Sequence, residues 1–151
     1  MTFEPQTPDF ERRVRESFGR QKVMETMGAR LARVVPGEVE INLPFREELT
    51  QQHGFLHAGI VTTIADSACG YAAFSLMPPE SSVLTIEYKV NLLAPAKGEH
   101  FMARGRVVRA GGTLTICSGE VEAHEGGQDK LVAVMLSTMM RLKGRPGVPP
   151  G

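Results

Sequence analysis

Apolar and polar positions change their period along this chain, and the changes mark out its elements. Phe10, Val14 and Phe18 recur every fourth residue with charges between them, the period of an amphipathic helix within 8–28. Gly19 interrupts the run, so the pattern predicts one helix and then a short second one around Val23 to Met27. Glu11 and Glu16 dilute the arginines here, which favours a helix packed on the domain over one lying on a membrane surface. From Ala29 the period shortens. Leu31, Val34 and Val35 lead into a Pro36-Gly37 turn, after which Val39, Ile41 and Leu43 alternate with Glu38, Glu40 and Asn42 as a half-buried strand. Further strands are predicted at 83–93, 101–109, 113–124 and 131–142, with Gly111-Gly112 and Gly126-Gly127 as hairpin turns between the last three. The tail 143–151, with three prolines and three glycines, is expected to be flexible.

The stretch 58–79 is of another kind, for Asp66 is its only charged residue. Gly59, Thr62, Thr63, Asp66, Ser67 and Gly70 make it a poor membrane span. Residues 58–76 as a helix would be about 28 Å long at ~1.5 Å per residue, enough to cross a small domain. A helix apolar nearly all round must be covered on every side. The expected architecture is therefore α+β: a curled, largely antiparallel sheet of five or six strands wrapped around one long central helix, the hotdog arrangement. The chain then divides into an N-terminal helical segment packed on the domain (1–28), the hotdog domain (29–142) and the tail (143–151).

Composition adds limits. The chain has 151 residues, 42% apolar and 23% charged, which suits one domain with a proper core. Seventeen basic residues balance seventeen acidic ones, so a nucleic-acid partner held through phosphates is not expected, and self-association is unopposed by charge. The first ten residues show no secretory pattern, and the two cysteines, Cys69 and Cys117, are too few for a disulfide framework. A cytoplasmic setting is expected.

Asp66 is the most informative residue. A carboxylate on a buried helix costs several kcal/mol unless it is paired or hydrogen-bonded. No Lys or Arg lies on its own helix, which leaves a basic group from elsewhere, local bonds to Thr62, Thr63 or Ser67, or a role as a general base that orients water. The loop Gln51-Gln52-His53-Gly54-Phe55-Leu56-His57-Ala58-Gly59 opens that helix, where unpaired N–H groups suit a developing oxyanion. Gly54 and Gly59 would let backbone approach a ligand closely. His53 and His57 are four residues apart but lack a third ligand at a telling spacing, so no metal site is expected. Cys69 has no histidine spaced to activate it and reads as a core thiol; Met135, Met139 and Met140 read as core on a strand.

His57-Ala58-Gly59 followed by Ala65-Asp66, Leu-Ala-Pro-Ala at 93–96 and the glycine hairpin after Val107-Val108 resemble the hotdog-fold acyl-CoA thioesterases, most of all their phenylacetate-degradation (PaaI-like) branch. The likeness spans roughly 23–142, and His57 and Asp66 keep the family's nine-residue spacing. The resemblance implies hydrolysis of acyl-coenzyme A thioesters, without a cofactor, by a homodimer with sites at its interface or a tetramer of two dimers. Asp66 would activate water, the Ala58 amide would receive the thioester carbonyl oxygen, and His57 would place that turn. Gln51 stands where relatives commonly carry Asn, and Thr85 where some carry a Ser beside the water. Ala58 replaces the family's first glycine and adopts a positive φ less readily.

Gly59 would share in substrate binding. Tyr71 and Phe74, with Leu76 and Met77, would bound the acyl tunnel, while Arg104 and Arg106, with Arg109, would either line the coenzyme A path or form a solvated strand face. Two other functions stay open: a non-catalytic acyl-CoA-binding module, which Asp66 speaks against, and a hydroxyacyl-thioester dehydratase, which would need His57 and Asp66 at one site.

Overall fold

The computed structural model describes residues 2–144. Helices α1 (Phe10–Gly19) and α2 (Lys22–Met27) precede strands β1 (Arg30–Val35) and β2 (Glu38–Pro44); a short 3-10 turn (Glu47–Leu49) leads to helix α3 (Ala58–Phe74), and strands β3 (Ser81–Leu92), β4 (His100–Ala110), β5 (Leu114–Glu125) and β6 (Gln128–Lys143) complete the chain. The six strands form one sheet in the order β1-β2-β4-β5-β6-β3, and every neighbouring pair is antiparallel. This is the α+β hotdog arrangement expected from the sequence, with a first strand at Arg30–Val35 that the short run of Leu31, Val34 and Val35 only hinted at. Gly126 and Gly127 both have positive φ, which the two-residue β5–β6 turn requires. Strand β6 runs through Lys143, which the sequence pattern assigns to the tail; residues 145–151 of that segment lie outside the described residues.

Alternation along the strands sets two faces. Ile41, Leu43, Phe101, Ala103, Val121, Met135 and Met139 are buried towards α3, whose Val61, Ile64, Ala65, Ala68 and Cys69 face them. Gly105 and Gly119 stand opposite each other on β4 and β5. A Cβ on Gly105 would lie 2.3 Å from the Ala68 carbonyl carbon, and one on Gly119 would lie 2.9 Å from the Cys69 sulfur. The helix is therefore seated on a glycine saddle, and its height above the sheet is fixed where Asp66 leaves it.

The helix is not covered on every side. Gly59 is exposed, and Thr62, Thr63, Asp66 and Gly70 are half-exposed, a stripe of small and polar side chains that the described residues cover only in part. Over the other end of α3, α1 closes the core. Arg13 lies 4.7 Å above the Phe74 ring and donates to the carbonyls of Met77 and Pro78, and Phe18 packs on Tyr71. Tyr71, Phe74, Leu76 and Met77 are thus buried beneath α1, with the Tyr71 hydroxyl 3.2 Å from the Ser17 hydroxyl. The tunnel expected along Tyr71 and Phe74 is replaced by packed core, because the N-terminal helix fills that space.

Candidate active site

The loop before α3 is shaped by its own backbone. The N–H of Gln51 donates to the Phe55 carbonyl, Gly54 at positive φ donates back to Gln51, and Leu56 and His57 donate to Ala96 and Leu49. These bonds deliver His57 in extended conformation as the N-cap of α3. Its Nδ1 accepts the Gly59 N–H at 2.8 Å, so the ring proton resides on Nε2. Its carbonyl accepts the N–H groups of Ile60 and Val61. Of the first-turn donors, the Ala58 N–H alone has no acceptor among the described residues. Ala58 is the first helical residue and not at positive φ, so its methyl group brings no backbone strain.

An open pocket of about 480 Å³ has Ala58 in its lining. Ala58, Gln51 and Phe55 line it from the loop, Leu92 to Ala96 from the chain leaving β3, and Val132 from β6. Gln51 stands at its wall with its side-chain carbonyl turned back to accept the His53 N–H. Leu92 and Leu93 end the strand that the pattern predicts, while 93–96 stood out in the sequence only as part of a family likeness.

Asp66 lies two turns further along the same helix, on the half-exposed stripe. Thr62 and Thr63 donate to the carbonyls of Ala58 and Gly59, and Ser67 donates to Gln21, so none of the three local candidates bonds the carboxylate. The Thr85 hydroxyl does, donating to Oδ1 at 2.7 Å, with the Met139 sulfur 3.3 Å from that hydroxyl oxygen. Among the described residues no ion pair reaches Asp66, and Oδ2 has no donor. Burial raises the carboxyl above the ordinary aspartate value, and the Thr85 bond pulls it partly back. Behind it the Cys69 thiol is buried and pushed up to about 12, an inert core group.

The arginines stand elsewhere. Arg104 and Arg106 lie on the sheet face opposite α3, Arg104 paired with Glu40 and Arg106 with Glu38 and Glu120. Strand alternation puts Ala103, Gly105 and Val107 inward and therefore these two outward, so they form the solvated ladder and not a wall of the site. The site residues thus fall into two groups on one helix: Gln51, His57, Ala58 and Gly59 at its N-terminus, and Asp66 with Thr85 further on. The eight residues between Ala58 and Asp66 separate the groups by about 12 Å at ~1.5 Å per residue.

Both groups fall within residues 53–130 except Gln51, and that span matches the sequence profile of the Thioesterase superfamily. A thioesterase family protein from Silicibacter pomeroyi, solved by crystallography, is 53% identical, with a TM-score of 0.89 over 89% of this chain and 99% of its own. The PaaI protein of the E. coli phenylacetic acid degradation operon shares the fold at a TM-score of 0.81 over 92% of this chain and 97% of its own, at 16% identity. The 1,4-dihydroxy-2-naphthoyl-CoA hydrolase of Listeria monocytogenes is 26% identical over 89 residues, 59% of this chain and 72% of its own. The chain belongs to the Thioesterase superfamily. Its class of activity is hydrolysis of thioesters.

Proposed function

We propose that the protein is an acyl-coenzyme A thioesterase whose sites are each completed by two copies of the chain. The observation that carries this reading is the Asp66–Thr85 pair: a carboxylate without a cation, half-buried, with one oxygen held by a hydroxyl and the other free to take a water. The free Ala58 N–H at a helix N-terminus supplies the complementary group, a donor for an oxygen that becomes negative. The CoA hydrolase from Listeria, named for its thioester substrate, supports coenzyme A as the carrier.

In the proposed reaction Asp66 accepts a proton from the water as its oxygen attacks the thioester carbonyl carbon. The tetrahedral oxyanion is held by the Ala58 N–H. Collapse breaks the C–S bond, and the departing sulfur takes the proton from Asp66, leaving free acid and coenzyme A. No metal or cofactor enters the steps. Thr85 acts as a positioning residue through its bond to Oδ1, and His57 through its cap on Gly59.

Because one helix holds the two groups about 12 Å apart, the amide and the carboxylate of one site come from different chains. The occupant of the uncovered surface is a second copy. Edge strand β3 is twelve residues long and unpaired on one side, with Leu84, Ile86, Tyr88 and Leu92 each about half exposed. Antiparallel β3–β3 pairing would continue the sheet, cover that edge and bring the small-residue stripe of one α3 against the other. A tetramer of two such dimers would use the outer sheet face, where Leu114 and Leu136 stand exposed. Two buried free thiols suit the reducing cytoplasm.

The test is a panel of acyl-CoA thioesters assayed for release of free thiol. Turnover of at least one member is expected. Binding of acyl-CoA with no hydrolysis of any member would replace the enzyme by a binding module.

A further inference from the structure

Resting on that reading, the aim of Asp66 depends on how far α3 is turned about its own axis. The glycine saddle fixes the height of the helix, but the residues it receives, Ala65, Ala68 and Cys69, are small and resist turning only weakly. A turn of about 10° carries a group about 5 Å from the axis sideways by about 1 Å. A misplacement of that size can cost about a hundredfold in rate. Two flanks oppose the turn. On the β3 side the Thr85 hydroxyl holds Asp66 itself. On the α1 side the hold is on the next residue, where the Ser67 hydroxyl donates to Gln21 Oε1 at 3.3 Å. The Gln21 amide also bonds the hydroxyl of Tyr71, one turn further along α3. With its oxygen taken by Ser67, the amide donates there through Nε2. Residues spaced i and i+4 lie one above the other on a helix, so a single side chain grips α3 at two points of the same flank.

Gln21 is itself fixed. At the junction of α1 and α2 its N–H donates to the Phe18 carbonyl at 3.0 Å, and its carbonyl accepts the N–H groups of Met24 and Glu25. The Phe18 ring in turn packs on Tyr71. Although Gln21 is the N-cap residue of α2, its side chain makes no cap bond, so the amide is committed to α3 and not to its own helix. Both N-terminal helices precede residues 53–130, the span that matches the family, so this grip is something the N-terminal segment adds. We propose that Gln21 is a positioning residue: through Ser67 it sets the rotation of α3, and with it the direction in which Asp66 presents its free oxygen to water.

Steady-state kcat and KM for thiol release by the full-length protein, with melting temperature and assembly recorded, test this. Gln21→Ala should lower kcat by about tenfold or more and change KM by less than about twofold, because Gln21 aims the carboxylate without touching the substrate. Ser67→Ala removes only a hydroxyl and should show the same split even if Gln21→Ala folds poorly. Ser67→Thr keeps the hydroxyl and should restore most of the rate. The double variant Gln21→Ala with Ser67→Ala should be no slower than the slower single one, since both cut the same link. Ser17→Ala loosens α1 from Tyr71 but leaves the Ser67 bond in place, and should keep kcat within about twofold of wild type. Unchanged kcat in both Gln21→Ala and Ser67→Ala would overturn the assignment, as would a rise in KM in place of the fall in kcat, losses that add in the double variant, or an equal fall in Ser17→Ala. Those outcomes leave the thioesterase intact, whereas no turnover by wild type, or near wild-type kcat in Asp66→Asn, overturns the reading beneath it as well.

Discussion

If the Ala58 amide and the Asp66 carboxylate of one site belong to different chains, two inactive variants should rescue each other. The geometry leaves little latitude. Eight residues of α3 place the groups about 12 Å apart along the axis, while the carbonyl and its attacking water must meet within roughly 3–3.5 Å. Because attack comes from above the plane of the carbonyl, the path from amide through carbonyl and water to carboxylate is bent and spans less than its summed length. Asp66→Asn disables one half, and Gln51→Ala with His57→Ala disables the other. Refolded together at equal amounts, half of the dimers are mixed, and each mixed dimer holds one doubly damaged and one intact site. Thiol release should then recover to about a quarter of the wild-type rate, if sites act independently under two-fold symmetry. Size-exclusion chromatography with differently tagged chains gives the mixed fraction independently. Recovery limited to the mean of the two parents, with mixed dimers demonstrably present, would refute the two-chain site.

Other consequences concern the parts separately. Thr85→Ala removes the bond that lowers the Asp66 pKa while burial still raises it, so the acid limb of the kcat/KM profile should move to higher pH, with a modest loss on the plateau. Since the folded pKa of Asp66 is raised, its ionisation opposes folding: stability is fullest below the unfolded value near 3.8 and declines as pH rises through the folded pKa. Asp66→Asn should therefore melt higher than wild type at pH 7, an advantage that vanishes towards pH 3. His57→Ala should cost about 1 kcal/mol through the lost cap, a fall of about 2–4 °C in melting temperature, and His57→Asn should restore most of it. Gly105→Ala puts a methyl group into the Ala68 carbonyl and must lift α3 by about 1 Å, which should destabilise by about 1–3 kcal/mol and lower turnover by up to about a hundredfold.

Much of this architecture was legible because the patterns were local. The four-residue spacing of Phe10, Val14 and Phe18, the break at Gly19 and the glycine hairpins each act within a few residues, and α1, α2 and the β5–β6 turn lie where they indicate. Asp66 was legible because it is the only charge on an apolar helix; Thr85 entered by family likeness as a residue beside the water, and its bond to Asp66 appears only in the fold. What was not legible depends on distant packing. Tyr71 and Phe74 look like any apolar lining until α1 is laid over them, and Arg104 and Arg106 look like phosphate ligands until strand phase turns them outward onto Glu38 and Glu40. The glycine saddle was hidden as well, for Gly105 and Gly119 acquire meaning only when β4 and β5 pair in register and α3 descends on them.

The central claim is that the Asp66 carboxylate drives thioester hydrolysis. Its most direct measurement is steady-state thiol release by wild type and Asp66→Asn on the best substrate of the panel, with melting temperature and oligomeric state recorded for both. Asn keeps the size of the side chain and the oxygen that accepts the Thr85 hydroxyl, but cannot take a proton from water. The account predicts a folded variant of unchanged assembly whose kcat falls by about a hundredfold or more. A folded Asp66→Asn protein with near wild-type kcat would contradict it.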